Sequence, residues 1–380
     1  MPWPYMVPTG TNIVNTEWLI ILISTTGSIY CLLQLVIFTG WMKHSDSEDK
    51  EEDSAEKFLS VIIAAHNEIK NLKRFLPHLL TQNYKNYEII LVLDRCEDEN
   101  ETWLQQQNDS RIRLVVIEQT PEGWAPKKWA VSQGIHAAHS ELLVFTDADC
   151  QVGKNWLKTI NKAFSEEKSL ILGLSPYFQE TGLLNAFIQY ETFYTAFQFV
   201  GLTELGLPYM GLGRNMAYRK SFFLENNGFK AFKTSLSGDD DLMVNAYADP
   251  RKTGIVLERE NWVFSEPKKI FRDWIRQKWR HVSASGHYTF RSKLILGIFH
   301  ASHLLFYLLT LTGWIWSNSP EWIVFLYIGK TLLSWGLFQI IVRKYQLGDF
   351  NYPWPFLDFL FFLYNLSIVP IGLIRKPTWI

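Results

Sequence analysis

The chain has 380 residues, of which 47 % are hydrophobic and 15 % aromatic, and its formal net charge at pH 7 is −1. This length suffices for one large domain with additional elements, and we expect no nucleic-acid partner. The three cysteines, Cys31, Cys96 and Cys150, are scattered, which argues against a disulfide framework or a zinc site.

The sequence contains four long apolar stretches, at residues 18–41, 294–316, 321–342 and 356–374. As helices, the first three are long enough to cross a hydrocarbon core of about 30 Å. Lys330 interrupts the third stretch and is expected to face other helices or a polar cavity. The fourth is shorter and contains Asp358, Asn365 and Pro370, so it is either a full span or a re-entrant segment.

Basic residues near these stretches predict the orientation of the chain in a membrane. Residues 1–17 contain no Lys or Arg, so we expect this segment outside the cytoplasm and residues 42–293 inside it. This arrangement also puts Arg343 and Lys344 inside, as expected for a multi-pass protein of the cell (inner) membrane. If the fourth stretch crossed fully, Arg375 and Lys376 would lie outside, against the preference of basic residues for the cytoplasmic side.

Residues 42–57 form a charged tether, and residues 58–266 read as a cytoplasmic domain of alternating strand and helix patterns. Such alternation predicts an α/β fold with a mostly parallel sheet. Ligands bind at the carboxyl ends of the strands in such sheets. Five polar residues fall at these ends: Glu68, Asp94, Lys127, Asp147 and Asp149.

In "VFTDADCQV", two carboxylates, Asp147 and Asp149, stand one residue apart after an apolar run. If residues 142–146 form a buried strand, its end directs both side chains toward one point, because alternate side chains of a strand share a face. Such a pair suits a divalent cation, and oxygen ligands favour Mg²⁺ or Mn²⁺ without choosing between them. The alternative is a solvated turn, since aspartate is common where strands end.

Several ordered motifs resemble those of the membrane-bound family 2 glycosyltransferases, whose nucleotide-sugar domain has the GT-A fold, a Rossmann-like and mostly parallel sheet. "SVIIAAHNE" is similar to the family's opening strand and its terminal Asn-Glu, at Asn67 and Glu68. In "LVLDRCED", Asp94 matches the acid that recognises the nucleotide base in relatives. "PKKWAV" resembles the family's G-K-x-x-A-L, with Lys127 matched and Pro126 in place of the glycine, which removes an N–H.

The segment "SGDDDLMVNAY" resembles the family's E-D-x-x-L. Leu242 sets a register in which Asp239 matches the catalytic aspartate, and a shift of one residue would give that role to Asp240. The segment is also typical of a helix N-terminus, where Gly and Asp satisfy free N–H groups. The two interpretations are compatible.

The segment "RQKWRHVSASGHY" resembles the family's Q-x-x-R-W, with Gln277 and Arg280 matched and His281 in place of the tryptophan. On a helix this spacing places the three side chains on one face, where the resemblance implies contact with the diphosphate and the acceptor. An amphipathic helix of the membrane interface over residues 267–293 is the alternative, with Trp274 facing the membrane. We expect both roles.

Two further segments concern the acceptor. "GLGRNMAYRKS" is similar to an acceptor-side segment of the family, which assigns Arg214 and Asn215 to the acceptor, although a plain turn followed by a strand fits nearly as well. Residues 183–207 are rich in aromatic residues, and we expect them to pack near the membrane surface and to border an acceptor entrance.

The resemblance implies an inverting glycosyltransferase that moves a sugar from a nucleoside-diphosphate sugar, with UDP as the expected nucleotide, to a lipid or lipid-linked hydroxyl. The alternatives are a processive polysaccharide synthase and a non-catalytic membrane protein that binds nucleotide sugars. A degenerate domain of the latter kind would have lost acids that this chain retains. The donor site implied comprises Glu68, Asp94, Lys127, Asp147, Gln277 and Arg280, and Asp147 and Asp149 hold the cation.

The predicted orientation can be tested on sealed right-side-out vesicles. Added protease or a membrane-impermeant thiol reagent should leave the region 42–293 unmodified until the membrane is permeabilised, because that region is expected in the cytoplasm. Modification of this region from outside intact vesicles would contradict the orientation.

Overall fold

The computed structural model describes residues 16–45, 55–316, 320–348 and 354–374. Most of the expected extracytoplasmic segment 1–17 and most of the charged tether lie outside the described residues.

A seven-stranded sheet forms the centre of the domain, in the order β3-β2-β1-β4-β7-β6-β8. Its strands are β1 Leu59–Ala65, β2 Tyr87–Asp94, β3 Ile112–Ile117, β4 Leu142–Phe145, β6 Leu170–Gly173, β7 Met216–Arg219 and β8 Thr253–Val256. Every neighbouring pair is parallel except the two that include β7. The mostly parallel α/β sheet predicted from the sequence is therefore confirmed. Strands β5 (Cys150–Val152) and β9 (Val263–Ser265) form a separate antiparallel pair.

Helices cover both faces of this sheet, and alternate residues of β1 and β2 belong to two different hydrophobic clusters. Both strands are therefore buried along almost their whole length, as is typical of parallel sheets. On one face, Gly134 allows close packing, because a Cβ atom there would lie 2.8 Å from Ile62 and 2.9 Å from Val92. The helices are α2 Ile69–Leu80, α3 Asn100–Gln105, α4 Pro126–Ala137, α5 Trp156–Ala163, α6 Leu183–Glu204, α7 Lys220–Glu225, α8 Asp241–Tyr247 and α9 Phe271–Ser285.

The strand order creates a crevice between the carboxyl ends of β1 and β4. Strand β1 pairs with β2 on one side and with β4 on the other, so the connections leave the centre of the sheet in opposite directions. Open α/β sheets bind ligands at such a point, outside the carboxyl ends of the strands. In this chain the crevice lies between the residues that follow Ala65 and those that follow Phe145.

Among the residues that the structure describes, four further helices are long and apolar enough to cross a membrane, judged by length and composition. They are α1 Thr16–Lys43, α10 Phe290–Trp316, α11 Pro320–Lys344 and α12 Trp354–Ile374. Each contains one of the predicted apolar stretches and extends beyond it or matches its end. We call these four helices the apolar bundle.

Helix α6 joins the domain to the apolar bundle. The expected aromatic segment is this helix, and it packs against α1. Gly40 and Gly201 bring the two helices into close contact, since a Cβ atom on Gly40 would meet the Gly201 carbonyl oxygen at 2.0 Å. Further along, the hydroxyls of Tyr30 and Tyr194 are 2.6 Å apart, and the indole of Trp41 donates to the backbone of α6. Domain and bundle are therefore packed together through buried contacts.

The carboxylate of Asp358 ties α12 to three other helices. It accepts hydrogen bonds from Tyr190 of α6 at 2.9 Å, Tyr307 of α10 at 2.6 Å and His303 of α10 at 3.2 Å. Lys330 of α11 forms an ion pair with it, and both charged side chains are 2 % exposed. The expectation that Lys330 faces other helices is confirmed.

Removal of one partner of this ion pair should destabilise the protein. In Asp358→Leu, the buried ammonium of Lys330 keeps its charge without a counter-ion, which costs on the order of 3–5 kcal/mol. The double variant Asp358→Leu/Lys330→Met removes both charges and should recover most of the loss, as thermal unfolding in detergent would show. Equal melting temperatures for the single and double variants would contradict this account.

Candidate active site

A cavity of about 1300 Å³ lies at the crevice and continues between α6, α9, α10 and α12. It gathers nearly all of the polar residues singled out from the sequence. Those that line it are Glu68, Asp94, Lys127, Asp147, Asp149, Arg214, Asp239, Asp240, Gln277, Arg280 and His281. Residues from seven separate chain segments therefore meet in one place, and their individual roles stay predictions.

The end of the cavity near β1 and β2 carries two acids. The carboxylate of Asp94 is 5 % exposed and accepts hydrogen bonds from the Arg95 guanidinium at 2.9 and 3.0 Å. Arg95 has a backbone φ of 49°, as the chain bends sharply after β2. Burial raises the pKa of Glu68. The hydrogen bond that Asn71 donates to its carboxylate lowers this pKa, and the charges of Asp149 and Asp147 raise it. This end is thus polar, with two acids and one guanidinium.

Asp147 and Asp149 lie in the turn between β4 and β5, so a turn brings them together rather than the end of a strand. One carboxylate oxygen of each residue and the Cys150 sulfur all lie within 4.8 Å of one another. Burial raises the pKa of Asp149, and the charge of Asp147 raises it further. Two mutually repelling carboxylates fit a hard divalent cation, which would relieve the repulsion. Cys150 is 1 % exposed and its thiol contacts Asp149 at 3.5 Å, so it supports that carboxylate.

Lys127, in the first turn of α4, connects Asp147 of this cluster to Asp239, which lies in the loop before α8. Its ammonium lies 3.0 Å from Asp147 and 3.2 Å from Asp239. Burial alone would lower the pKa of Lys127, but these carboxylates raise it above its ordinary value. Pro126 is the first residue of the helix and offers no N–H, as expected from the sequence. The positive charge here therefore comes from the lysine side chain.

Lys128 is a site residue that the sequence analysis missed. Its side chain is 1 % exposed, and its ammonium donates to the carbonyls of Ser235 at 2.7 Å and Ser237 at 2.6 Å. It thereby fixes the loop that precedes Asp239. Two consecutive lysines at a helix N-terminus oppose the helix dipole, and this unusual feature could have indicated nearby carboxylates.

The three consecutive aspartates have different environments. Burial opposes ionisation of Asp239, but Lys127 and Lys128 hold its pKa below the ordinary value. Asp240 caps α8, and its two oxygens accept from the N–H groups of Asp241 and Gly213, both at 2.7 Å. Burial raises the pKa of Asp241 to about 8. The surroundings therefore favour the ionised form of Asp239 most strongly, while Asp240 caps the helix as predicted for this segment.

Asp241 joins this loop to the turn between α9 and α10. Its carboxylate accepts a hydrogen bond from the hydroxyl of Tyr288 at 2.7 Å. The sequence analysis gave no role to either residue, because Tyr288 lies 47 positions away along the chain.

Helix α9 directs Gln277, Arg280 and His281 into the cavity, as the spacing predicts. The pKa of His281 is below its ordinary value, first because the ring is partly desolvated at the cavity wall and then because Lys278 and Arg280 are close, although the residue is exposed. The imidazole is therefore neutral. Lys278 is buried and forms an ion pair with Glu191 of α6.

The prediction that Trp274 faces the membrane is wrong. Its ring is 1 % exposed and packs against Phe187 of α6 and Tyr364 of α12, with centroid distances of 5.6 and 5.7 Å. The presence of α12, distant in sequence, turns this face of α9 into a buried one.

Arg214 and Asn215 were both assigned to the acceptor side from the sequence. The Arg214 guanidinium stacks on Tyr177 at 4.3 Å from the ring centroid, and its charge acts on Asp149, so it lies on the cation side of the cavity. Asn215 does not line the cavity: it is 1 % exposed, accepts from Trp156 at 2.9 Å and donates to backbone carbonyls. We therefore withdraw Asn215 as an acceptor-side residue, because it is fully engaged in internal hydrogen bonds.

Comparison with known proteins finds related sequences for the central part of the chain. Residues 60–225 match the model of the family described as glycosyl transferase family 2. Glycosyltransferase GlyG of Streptococcus pneumoniae serotype 4 is 31 % identical over 115 residues, which cover 29 % of this chain and 36 % of that protein. Beta-monoglucosyldiacylglycerol synthase of Trichormus variabilis is 26 % identical over 121 residues, covering 31 % of this chain and 26 % of that protein. These matches span about a third or less of the relatives' length.

A similar solved structure covers nearly the whole chain. The mannosyltransferase PcManGT of Pyrobaculum calidifontis, in complex with GDP-Man and Mn²⁺, superposes with a TM-score of 0.57. The match covers 93 % of this chain and 99 % of that protein at 15 % identity. At this identity the likeness concerns the fold, and it agrees with the GT-A-like sheet described above.

Loss of a cation ligand should remove turnover. We expect Asp149→Asn to weaken donor-nucleotide binding in the presence of Mn²⁺ or Mg²⁺ and to lower turnover by on the order of 100-fold or more, because a neutral ligand leaves the diphosphate charge uncompensated. Calorimetric titration of the nucleotide with and without the ion measures the effect. The exposed Asp273→Asn, outside the cavity, is the matched control. Full turnover of Asp149→Asn, or of the unmodified protein in excess chelator, would rule out the cation site.

Proposed function

We propose that the protein transfers one sugar from a nucleoside-diphosphate sugar to the hydroxyl of a lipid or lipid-linked acceptor, because residues 60–225 match the glycosyl transferase family 2 model and the fold is GT-A-like. One observation carries this proposal: a single cavity contains the paired acids of the turn, the Lys127–Asp239 ion pair and side chains of two helices of the apolar bundle. Donor chemistry and a membrane-derived acceptor can meet there.

The donor lies along the carboxyl ends of β1, β2 and β4. In this proposal Glu68 and Asp94 contact the nucleoside, and the cations of Lys127 and Arg280 face the diphosphate, with Gln277 as a further hydrogen-bonding group. UDP is the nucleotide that we propose. A bound Mg²⁺ or Mn²⁺ at Asp147 and Asp149 would supply charge neutralisation to the leaving diphosphate.

Asp239 is the proposed general base. Its carboxylate is ionised because Lys127 and Lys128 stabilise the negative charge, so it can accept a proton. The acceptor hydroxyl gives its proton to Asp239, its oxygen bonds to the anomeric carbon, and the bond from that carbon to the diphosphate oxygen breaks. Attack from the face opposite the leaving group inverts the anomeric configuration. Arg280 stabilises the charge that develops on the diphosphate.

The apolar bundle supports a membrane location and a lipid acceptor. Side chains of α10 and α12 line the cavity, and the relative named beta-monoglucosyldiacylglycerol synthase is consistent with a lipid substrate. With the basic residues inside, the domain of residues 58–266 and the interface helix of 267–293 face the cytoplasm of the inner membrane.

Two substitutions separate the base from the helix cap. In Asp239→Asn the amide keeps the shape of the side chain but cannot accept the proton, so turnover should fall by on the order of 100-fold or more while donor affinity changes little. Asp240→Asn should mainly lower the melting temperature, because the amide leaves one of two backbone N–H groups without an acceptor. Turnover with a panel of nucleotide sugars and lipid extract, analysed by mass spectrometry, also distinguishes a single added sugar from a polymer.

A normal rate in Asp239→Asn combined with a collapsed rate in Asp240→Asn would move the base to Asp240. Normal rates in both variants would remove this segment from the reaction.

A further inference from the structure

The cavity extends beyond the acids into the apolar bundle. We call this extension the membrane arm and define it by six lining residues: Gln198, His300, Phe361, Asn365, Val369 and Leu373. A small-molecule site occupies roughly 300–1,000 Å³, so a cavity of about 1300 Å³ has room for an acceptor beside a nucleotide sugar.

One face of α12 forms a wall of this arm. Phe361, Asn365, Val369 and Leu373 all line the cavity, and their spacing of four residues places them in a row along the helix. Twelve residues of α-helix span about 18 Å. Three of the four side chains are apolar or aromatic, so this row forms an elongated hydrophobic surface.

The opposite wall comes from α10 and α6. One face of α10 lines the cavity through Lys293, Leu296, Gly297 and His300. The cavity therefore follows this helix for about 10 Å from its first turn. There the His300 ring lies 3.3 Å from the amide of Gln198 on α6. The polar groups at the inner end of the arm are thus an amide and an imidazole, which provide hydrogen bonds rather than a fixed charge.

Two lysines of the cavity are already paired, and a third, Lys293, lies at the mouth of the arm in the first turn of α10. Lys278 forms its ion pair with Glu191, and Lys127 lies between Asp147 and Asp239. None of the six residues that define the arm is a lysine or an arginine. A lipid phosphate beside Gln198 and His300 would therefore be a buried anion about 10 Å along α10 from Lys293, without a counter-ion from the residues of the arm, which is strongly unfavourable.

The chemistry of the base leads to the same class of acceptor. A hydroxyl must lose a proton when it attacks, whereas the oxygen of a lipid phosphate is already ionised and gains nothing from a base. The ionised carboxylate of Asp239 would in addition repel such an anion.

Resting on the proposed function, we infer that the acceptor is an uncharged lipid alcohol whose hydrocarbon chain occupies the membrane arm. Its reacting hydroxyl reaches Asp239, while Gln198 and His300 bind other polar atoms of the headgroup.

Matched lipids test this inference. The protein is placed in phosphatidylcholine nanodiscs with the nucleotide sugar that supports turnover. One pair of acceptors is diacylglycerol and phosphatidic acid with the same acyl chains. The other pair is a long-chain prenol and its phosphate. We expect glycosylation of the two neutral alcohols at a kcat/KM at least tenfold above that of their anionic counterparts.

Two variants locate the chain. Val369→Trp narrows the arm, so it should lower kcat/KM for long-chain diacylglycerol by about tenfold or more while short-chain diacylglycerol is used nearly as well as by the parent. His300→Leu should raise the KM for diacylglycerol with donor affinity and melting temperature unchanged, whereas His287→Leu, exposed and outside the cavity, should have no effect.

Preferential use of phosphatidic acid or prenyl phosphate would overturn the inference and leave the glycosyltransferase function in place. Equal losses for short and long chains in Val369→Trp would likewise overturn it, because the chain would then lie elsewhere. If the unmodified protein binds the donor but glycosylates no lipid of either charge, the proposed function itself fails.

Discussion

The candidate active site depends on one electrostatic constraint: several carboxylates lie close together in a partly buried cavity, so their mutual repulsion must be offset by positive charge. The ammonium of Lys127 meets this constraint, because it lies within 3.2 Å of both Asp147 and Asp239. Lys128, fixed on two carbonyls of the preceding loop, adds a second positive charge. The same ion pairs favour the ionised form of Asp239, so the interactions that make the cluster stable also prepare the proposed base.

A second requirement is that the domain and the apolar bundle keep a fixed relative position, since the cavity is lined by both. Helix α6 meets it through close contact with α1 at Gly201 and through the paired hydroxyls of Tyr30 and Tyr194. The carboxylate of Asp358 then connects α12 to α6, α10 and α11. Such buried polar interactions specify one arrangement of helices that apolar contacts alone would specify poorly.

Much of this architecture could be predicted from the sequence. Strand and helix periodicity gave the parallel sheet, continuous apolar stretches gave the four helices, and motif resemblance located most of the cavity residues. Predictions failed where the outcome depends on contacts between distant segments. Asn215 was misassigned because a motif does not show which way a side chain points, and Trp274 because α12 covers it. The partners of Asp358 were not predictable, since they come from three helices far apart in the chain.

The central claim is that a carboxylate on the face of the sugar opposite the diphosphate activates the acceptor. The anomeric configuration of the product tests it most directly, through the one-bond carbon–proton coupling of the anomeric carbon in the purified glycolipid. The account predicts a configuration opposite to that of the donor sugar. A product with the donor's configuration would contradict the role given to Asp239 and the direct displacement on which it rests.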